Sequence, residues 1–535
     1  MLLMHFLLFS TFVLCVGFVG GVERSNERIN PGVVLRLNKP GVQYLECQFR
    51  QLLKDRIASI DWNNAVKTML LPSFPLLEAR LIDLRPPRFD DFKILPLSRL
   101  YFSLSQMDLV LFLEERFQLL SLLRPGISVL AALKSLGLEV SIEVLFSEDT
   151  KTVSLVMDEC NVTFGWSRLK FVNVDLFGDI LNSMNRTMSS LLQAGAQKRI
   201  CAQIEQFVDN TLSNYLETAP RKFSIAQAIS DHSTTSTAST LPLLPGDKAN
   251  LLRELMVDLS LVRAPLLNEK AVVTMHSGEV SWKGQGKTPF LATALYSSLE
   301  SNNRMASIFL SDYVFNSLMY ALWDRRFFNF VLSEQNSALM ELLQSTDCPF
   351  ELCIPDLLEL MGIDIDFESR LELAMTLIAP PNVSFSDNFG MVASKGKISL
   401  NSVGPQGQSN VFKVNVHAVA AFRLFIQKDM TLKGKVAIDR LLMTTDKSSK
   451  ATLNDRELEL FASIAKTVLG VVGTELLDQG IVLPSMPGFT IKNGLLHFVG
   501  NSMKADFDFG ITENLLAKFG THFSQVERRS SYKEV

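Results

Sequence analysis

Residues that commonly carry enzyme chemistry are scattered in this sequence. No Gly-x-Ser-x-Gly turn is present, and the segment nearest to a phosphate-binding loop is Gly284-Gln-Gly-Lys-Thr288. The first glycine of that loop would fall on Ser281, and no strand-then-helix pattern surrounds it, so we interpret the segment as a hairpin turn with basic edges. The histidines beyond the N-terminal run lack the spacing of metal ligands: His232, His276, His417, His497 and His522. We therefore predict no enzyme activity, no metal and no cofactor.

The cysteines are the other reactive side chains. Apart from Cys15 their number is odd, which permits two disulfides and one free thiol: Cys47, Cys160, Cys201, Cys348 and Cys353. Cys348 and Cys353 are close enough in sequence for a small local bridge, and no second Cys or His pair lies near them to complete a zinc site. We expect Cys47 to be a buried free thiol.

The composition is rich in apolar material. Of 535 residues, 47% are hydrophobic and 20% charged, and the aromatics include 37 Phe against 7 Tyr and 4 Trp. Rings without a polar group need no hydrogen-bond partner, so they can fill a large ordinary core or line a dry internal space. A net charge of −4 argues against binding to nucleic acid.

The N-terminus predicts export. Residues 2–19 form an apolar run that ends in Gly20-Gly21, as expected for a signal peptide cleaved before Val22. An uncleaved membrane anchor is the alternative reading of the same run. Sequons for N-glycosylation, which would be used only if exposed in a secretory lumen, occur at Asn161, Asn185 and Asn382. We predict a secreted, extracellular protein.

Hydrophobic periodicity predicts one set of elements in the first half of the chain. Residues 42–60 have helical spacing, strand-like runs continue to about residue 170, and a second long helix begins near Val174 and continues to Val208. The clearest strand covers 138–146, where alternate apolar residues share one face.

A similar order recurs in the second half. Ser311 is a candidate N-cap for a helix, alternating strands follow at 412–424 and 432–442, and a long helix covers 455–477. Two closing strands surround 489–498 and 505–509. The Ser, Thr and Pro-rich stretch 233–245 between the halves cannot form a core and is predicted to be an exposed linker or an O-glycosylated segment. The repeated order indicates duplication.

One local segment resembles a known family. Members of the bactericidal/permeability-increasing, lipopolysaccharide-binding and plasma lipid-transfer family open their C-terminal half with a motif that this chain matches at Arg304, Met305, Leu310, Ser311, Asp312, Tyr313, Phe315 and Asn316. Three further segments resemble the family's opening strand, a G-x-x-x-x-D-R-L-L strand and a G-x-x-L-P turn: 29–37, 432–442 and 480–484.

The resemblance implies an α+β fold, an elongated boomerang of two similar barrel-plus-long-helix domains with highly curved antiparallel sheets, joined by a central sheet and linker. It also implies the family's shared disulfide, between Cys160 and Cys201. The corresponding boundaries are a signal peptide at 1–21, an N-terminal lipid-binding domain at 22–232, a linker and central-sheet segment at 233–285, a C-terminal lipid-binding domain at 286–510 and an amphipathic helix with a disordered end at 511–535.

Similar proteins hold lipid acyl chains in an apolar pocket in each half. The candidate pocket residues here are apolar positions of the predicted helices: Val42, Leu45, Phe49, Leu52, Phe177, Leu181, Met184, Met188, Val314, Phe315, Leu318, Leu515, Leu516 and Phe519. The last three belong to a C-terminal segment that resembles the closing helix of cholesteryl ester transfer protein.

The family's bactericidal and endotoxin-binding members carry a lysine-rich loop tip in the N-terminal half. The equivalent region here, 124–134, is mostly apolar, so we expect it either to enter a lipid surface or to pack on its own domain. The resemblance therefore implies a monomeric protein that binds phospholipid or neutral lipid and transfers it through transient contact with membranes or lipoproteins. The alternative is innate-immune capture of microbial lipid such as lipopolysaccharide.

Overall fold

The fold is α+β and its sheets are antiparallel. A computed structural model describes residues 30–59, 77–95, 98–115, 128–172, 185–206, 208–209, 213–217, 220–225, 251–268, 271–295, 303–332, 370–404, 407–428, 430–449, 453–479, 481–482 and 489–512. The statements below concern these residues.

The first half of the chain forms a five-stranded sheet, here called the N-terminal sheet, with strand order β2-β4-β5-β6 and with β3 paired to β4. The elements in chain order are β1 (Val33–Asn38), α1 (Lys39–Ser59), β2 (Leu77–Arg85), β3 (Arg88–Leu95), β4 (Arg99–Glu115), β5 (Ser128–Ser147), β6 (Thr152–Val172), α2 (Asn185–Gln206), α3 (Ser213–Glu217) and β7 (Lys222–Ser224).

The second half repeats the arrangement of strands with a long helix. Its elements are β8 (Leu255–Asp258), β9 (Leu266–Asn268), β10 (Ala271–His276), β11 (Glu279–Trp282), β12 (Ala306–Ser311), α4 (Asp312–Asp324), β13 (Phe330–Leu332), β14 (Arg370–Leu377), β15 (Asn382–Ser386), β16 (Phe389–Gly404), β17 (Gly407–Ile426), β18 (Thr431–Thr445), α5 (Asp455–Gln479), β19 (Ile481–Val482), β20 (Phe489–Val499) and β21 (Ser502–Ile511). Strands β13 to β19 form the seven-stranded C-terminal sheet, and β7, β8 and β11 form a small sheet.

A six-stranded central sheet joins the two halves, in the order β20-β21-β12-β1-β10-β9. The first strand of the described chain, β1, lies between β10 and β12, and the last strand, β21, pairs with β12. Strands from both ends of the sequence therefore share one hydrogen-bonded layer, and the predicted central sheet is confirmed.

A buried polar network crosses this sheet through β1, β12 and β21. Arg36 Nε donates to Asn38 Oδ1 at 2.9 Å, and Asn38 Nδ2 donates to Ser307 Oγ at 3.2 Å. Ser307 Oγ donates to Asp506 Oδ1 at 2.6 Å, and Lys504 Nζ lies 3.0 Å from Asp506 Oδ2. Buried charges are stable only when they are paired and hydrogen-bonded, so this network fixes which strands can be neighbours.

The Arg304-Met305 pair of the family motif binds Asp508 on β21. Arg304 Nη1 lies 2.7 Å from Asp508 Oδ2, and the Met305 N–H donates to Oδ1 at 3.1 Å. Burial alone would raise the pKa of Asp508, but the hydrogen bonds from Asn493, Met305 and Arg304 hold it below its ordinary value of 3.8. The motif therefore has a structural role in closing the central sheet.

Helix α1 begins directly after β1. Pro40 is tolerated in the first turn because that turn needs no N–H donor, and Gly41 lies so close to the Met305 carbonyl that a β-carbon there would collide with it. Leu45, one turn later, is buried, whereas Cys47 is free and exposed. The expectation that Cys47 is buried is wrong, because two residues along a helix turn a side chain about 200° from the buried stripe.

Helix α5 begins at a reciprocal capping pair. The Glu457 N–H donates to Asn454 Oδ1 at 3.0 Å, and the Asn454 N–H donates to Glu457 Oε2 at 2.8 Å. Ser311 occupies the predicted N-cap position of α4 but makes no side-chain capping bond. Ser311 is also the last residue of β12 and is fully buried, so the sheet sets its side-chain direction.

Two sequence interpretations of loops need correction. Residues 128–134 of the expected loop tip lie in β5, paired with β4 and β6, and Ala131 and Leu133 are buried. The expectation of a loop comes from the family's equivalent region, whereas a run that is apolar on both faces fits a strand equally well. The segment 284–288 is a turn after β11, where the Gly286 N–H donates to Ser281 Oγ, but an irregular segment follows in place of a second hairpin strand.

Several predicted segments lie outside the described residues. These are the signal peptide at 1–21, the linker at 233–245, the local Cys348 and Cys353 pair, the start of the second helix at 174–184 and most of the C-terminal segment at 511–535. The domain boundaries also stay predictions. In the described part of the chain, no helix combines the length and apolarity that a membrane span requires.

Candidate functional site

The inner face of the C-terminal sheet carries a phenylalanine cluster at one end. Phe385 lies with its ring centroid 5.5 Å from that of Phe498 and 6.4 Å from that of Phe422. Phe315 of α4 meets Phe385 edge-on at 5.2 Å. Gly390 pairs with Phe422 across β16 and β17, and a β-carbon at Gly390 would collide with that ring. The rings therefore close this end of the face with apolar packing.

A second apolar cluster closes the other end of the same face. Phe412 and Val414 of β17 are buried there with Leu458 of α5, and Phe461 of α5 lies 5.6 Å from Phe412, ring to ring. Phe412 and Val414 lie at even positions of β17, as does Phe422 of the phenylalanine cluster, so both clusters belong to one face of the strand.

Small residues separate the two clusters. Ser394 pairs with Ala418, and Val392 pairs with Ala420, between the clusters on β16 and β17. Ser394, Ala418 and Ala420, which we call the small-residue patch, are only half-buried although they share the inner face with fully buried side chains. Short side chains occupy less of the space over a strand than the Phe side chains at either end of this face.

Helix α5 packs along β18, one strand away from the patch. Thr474 Oγ1 accepts from the Val436 N–H at 3.2 Å and donates to the Val436 carbonyl at 3.0 Å. Lys466 Nζ donates to the Asp439 carbonyl at 2.9 Å. These bonds hold the helix on β18.

A β-bulge bends the sheet at the level of the patch. Val419 pairs with Arg440 and Ala420 with Ile438, so Asp439 is an extra residue in β18. A bulge increases the local bend and twist of its strand. The Lys466 bond reaches the carbonyl of this extra residue, so the helix is fastened where the sheet curves.

The N-terminal half has a comparable arrangement of helices on a sheet. Cys160 of β6 and Cys201 of α2 form a disulfide with S–S 2.02 Å and Cα–Cα 5.7 Å, which confirms the pairing implied by the family resemblance. Ile200 and Cys201 pack on a cluster that includes Leu136 and Val162. The disulfide therefore joins the long helix to the inner face of the N-terminal sheet.

The other predicted pocket residues differ in how much of them the structure describes. Leu45 is fully packed and Val42 half-buried against a cluster that also contains Leu37, Leu155 and Phe509. For Phe49, Leu52 and Met188 the structure describes the helix but not the side chain. The remaining candidates lie outside the described residues: Phe177, Leu181, Met184, Leu515, Leu516 and Phe519.

The candidates on α4 have the contacts of core residues. Val314 and Leu318 pack against a cluster with Leu255 and Val280 of the small sheet, whereas Phe315 touches the phenylalanine cluster. Asn316 is buried and bonds both backbone groups of Val383, at 2.9 and 2.6 Å. A pocket-lining role for these candidates stays a prediction.

Sequence reasoning missed the small-residue patch. Periodicity predicts one apolar strand face over 412–424 but does not separate its small residues from its large ones. One feature of the sequence could have revealed the patch. Positions 418 and 420 carry Ala, whereas positions 412, 422 and 424 of the same strand face carry Phe or Leu.

The sequons and polar clusters complete the survey. Asn161 and Asn382 are exposed on β6 and β15, whereas the side chain of Asn185 is not described. Among the described residues, no group of three His, Cys, Asp or Glu side chains could hold a metal ion.

Several known proteins resemble this chain. The C-terminal domain model of the LBP / BPI / CETP family matches residues 250–511. Human lipopolysaccharide-binding protein is 24% identical over 385 residues, which cover 70% of each chain, and rat bactericidal permeability-increasing protein is 21% identical over 393 residues, with 72% and 71% covered. A crystal structure of lipopolysaccharide-binding protein aligns with 90% of this chain and 100% of its own at 17% identity and a TM-score of 0.43. The C-terminal part of the chain, residues 250–511, belongs to the LBP/BPI/CETP family.

Proposed function

We propose that this protein binds lipid by burying acyl chains in an apolar groove above the small-residue patch. The observation that carries the proposal is the run of small side chains, Ser394, Ala418 and Ala420, between two apolar clusters on one face of the sheet. Each buried methylene contributes about 0.8 kcal/mol, so a chain of ordinary length needs no covalent bond and few polar contacts. The ligand is bound lipid, without enzyme chemistry or a cofactor.

The finer proposal is a secreted monomer that transfers phospholipid or neutral lipid between membranes or lipoproteins. The apolar run at 2–19 and the exposed Asn161 and Asn382 support passage through the secretory pathway. Burial of acyl chains without covalent attachment supports reversible exchange.

Capture of microbial lipid is the second candidate. It is supported by the relatives, which include lipopolysaccharide-binding proteins of human and bovine origin and a bactericidal permeability-increasing protein. Incubation of the protein with labelled donor and unlabelled acceptor vesicles separates the two candidates. Transfer at catalytic protein concentrations supports the first, and tight lipopolysaccharide binding without vesicle transfer supports the second.

The groove itself is tested with a matched pair of substitutions. Ala420 faces the groove, and Ala421, its neighbour on β17, faces the opposite side of the sheet. Ala420→Phe should occupy the space of several methylenes and weaken uptake of a fluorescent phospholipid by about tenfold or more. Ala421→Phe should leave uptake unchanged. A folded Ala420→Phe variant that binds lipid as tightly as the parent protein would contradict the proposed groove.

A further inference from the structure

The outer face of the C-terminal sheet is the surface opposite the small-residue patch. On β17 this face carries the odd-numbered residues from 413 to 425, because the even-numbered ones pack inward. The stretch from His417 to Phe425 covers about 27 Å at the usual rise per residue. Neighbouring strands β16 and β18 extend the face on both sides.

Exposed Lys and Arg side chains of neighbouring strands lie side by side on this face. Arg423 of β17 pairs with Lys435 of β18, and Val419 pairs with Arg440. Lys395 of β16 pairs with His417. We call Lys395, Arg423, Lys435 and Arg440 the basic face; all four are exposed.

The basic face is not explained by ion pairing. Two other lysines of the same strands are paired, Lys397 with Asp446 at 2.8 Å and Lys433 with Asp478 at 3.7 Å. Within the described residues the four members of the basic face have no such salt-bridge partner. The whole chain has a net charge of −4, so this concentration of positive charge is local.

The pairing of two cations across neighbouring strands destabilises the folded sheet. Like charges directly across an antiparallel pair are destabilising, and Arg423 and Lys435 are direct partners. In the described part of the chain neither cation of this pair forms a salt bridge with an acidic side chain, and such a pair fits an external anionic partner better than a structural role.

Exposed apolar side chains lie among these cations. Leu442, the partner of His417, is 51% exposed, and Phe425, the partner of Lys433, is 39% exposed. A highly hydrated polyanion would bind the cations and leave Leu442 and Phe425 in water. A lipid surface accommodates both, because cations bind headgroup phosphates while apolar side chains enter the boundary with the acyl chains.

We propose that the basic face, with Leu442 and Phe425, docks on bilayers that contain anionic phospholipid. The inference rests on the proposed lipid-binding function, because docking brings the sheet that carries the groove against a source or acceptor of lipid. The groove and the docking face then occupy opposite sides of one sheet.

Sedimentation with vesicles tests the proposal, with phosphatidylcholine alone compared with phosphatidylcholine plus phosphatidylglycerol. The full chain should bind the anionic vesicles at least tenfold more tightly, and binding should fall as salt is raised. Lys435→Glu should weaken this binding by roughly tenfold or more, whereas Lys198→Glu, an equal charge change at an exposed position of α2, should not. Leu442→Ser should weaken binding several-fold with little change in its salt dependence.

Two readouts separate docking from folding and from lipid uptake. Lys435→Glu places an acid opposite Arg423, so its melting temperature should be equal to or above that of the parent protein while docking is lost. Uptake of a soluble fluorescent phospholipid should be unchanged. Equal binding of both vesicle types, or unchanged binding by both Lys435→Glu and Arg423→Glu, would overturn the docking proposal and leave the groove untouched.

Discussion

At the scale of single residues, the family motif acts through hydrogen bonds in the central sheet. Arg304 and Met305 bind the Asp508 carboxylate, and Asn316 bonds both backbone groups of Val383. These contacts join strands and helices that are far apart in sequence. The sequence motif therefore marks places where the fold closes.

Asp508→Asn should destabilise the protein by about 1–3 kcal/mol at neutral pH, because the charged partner of Arg304 is lost. The pKa of Asp508 is lowered in the folded state, so its carboxylate stabilises the fold above the ordinary carboxyl pKa, and this contribution is lost as the pH falls through the lowered value. The difference between parent and variant in denaturant unfolding should therefore shrink as the pH falls below 3.8. A difference that stays constant down to low pH would contradict this role.

At the scale of elements, long helices lie on sheets and are fastened at defined points. Helix α2 is joined to β6 by the Cys160–Cys201 disulfide, and α5 is held on β18 by Thr474 and Lys466. The disulfide and these hydrogen bonds therefore fix where each helix lies on its sheet.

Removal of the disulfide by Cys160→Ser together with Cys201→Ser should cost about 4 kcal/mol, the chain-entropy value for a loop of this length. Thermal unfolding of the parent protein with and without reductant provides the measurement. Cys47→Ser is the matched control, because Cys47 is free and exposed, and its melting temperature should equal that of the parent. An equal decrease in melting temperature in the two variants would argue that the disulfide does not stabilise the fold.

Strong periodicity made several elements predictable. The helix expected at 455–477 is observed as α5, and the alternating faces of 138–146 and 412–424 correspond to β5 and β17. The apolar run at 128–134 could not be placed, because residues that are apolar on both faces fit a loop tip or a strand equally. The small-residue patch and the basic face were also missed, since both depend on the register between strands that are separated in sequence.

At the scale of the whole molecule, the two halves are joined by shared sheets. Strand β1 pairs with β10 and β12, and β7 pairs with β8, so the chain before the predicted linker is hydrogen-bonded to the chain after it. The halves should therefore behave as one cooperative unit, although the sequence suggests duplication.

Proteolytic cleavage in the linker tests whether the two halves are held together without a covalent connection. A protease site inserted near residue 240 and cut in the folded protein should yield two fragments that elute together in gel filtration, because the central sheet holds both. Mild denaturant should separate them. Fragments that elute separately in native buffer would show that the shared strands contribute little to holding the halves together.

The central claim is that lipid occupies an apolar groove in this fold. Native mass spectrometry of the purified protein, with lipid identification in an organic extract, tests it most directly. The account predicts a mass above that of the polypeptide by one or two lipid molecules, with acyl lipid recovered in the extract. A bare polypeptide mass that persists after incubation with phospholipid vesicles would contradict the account.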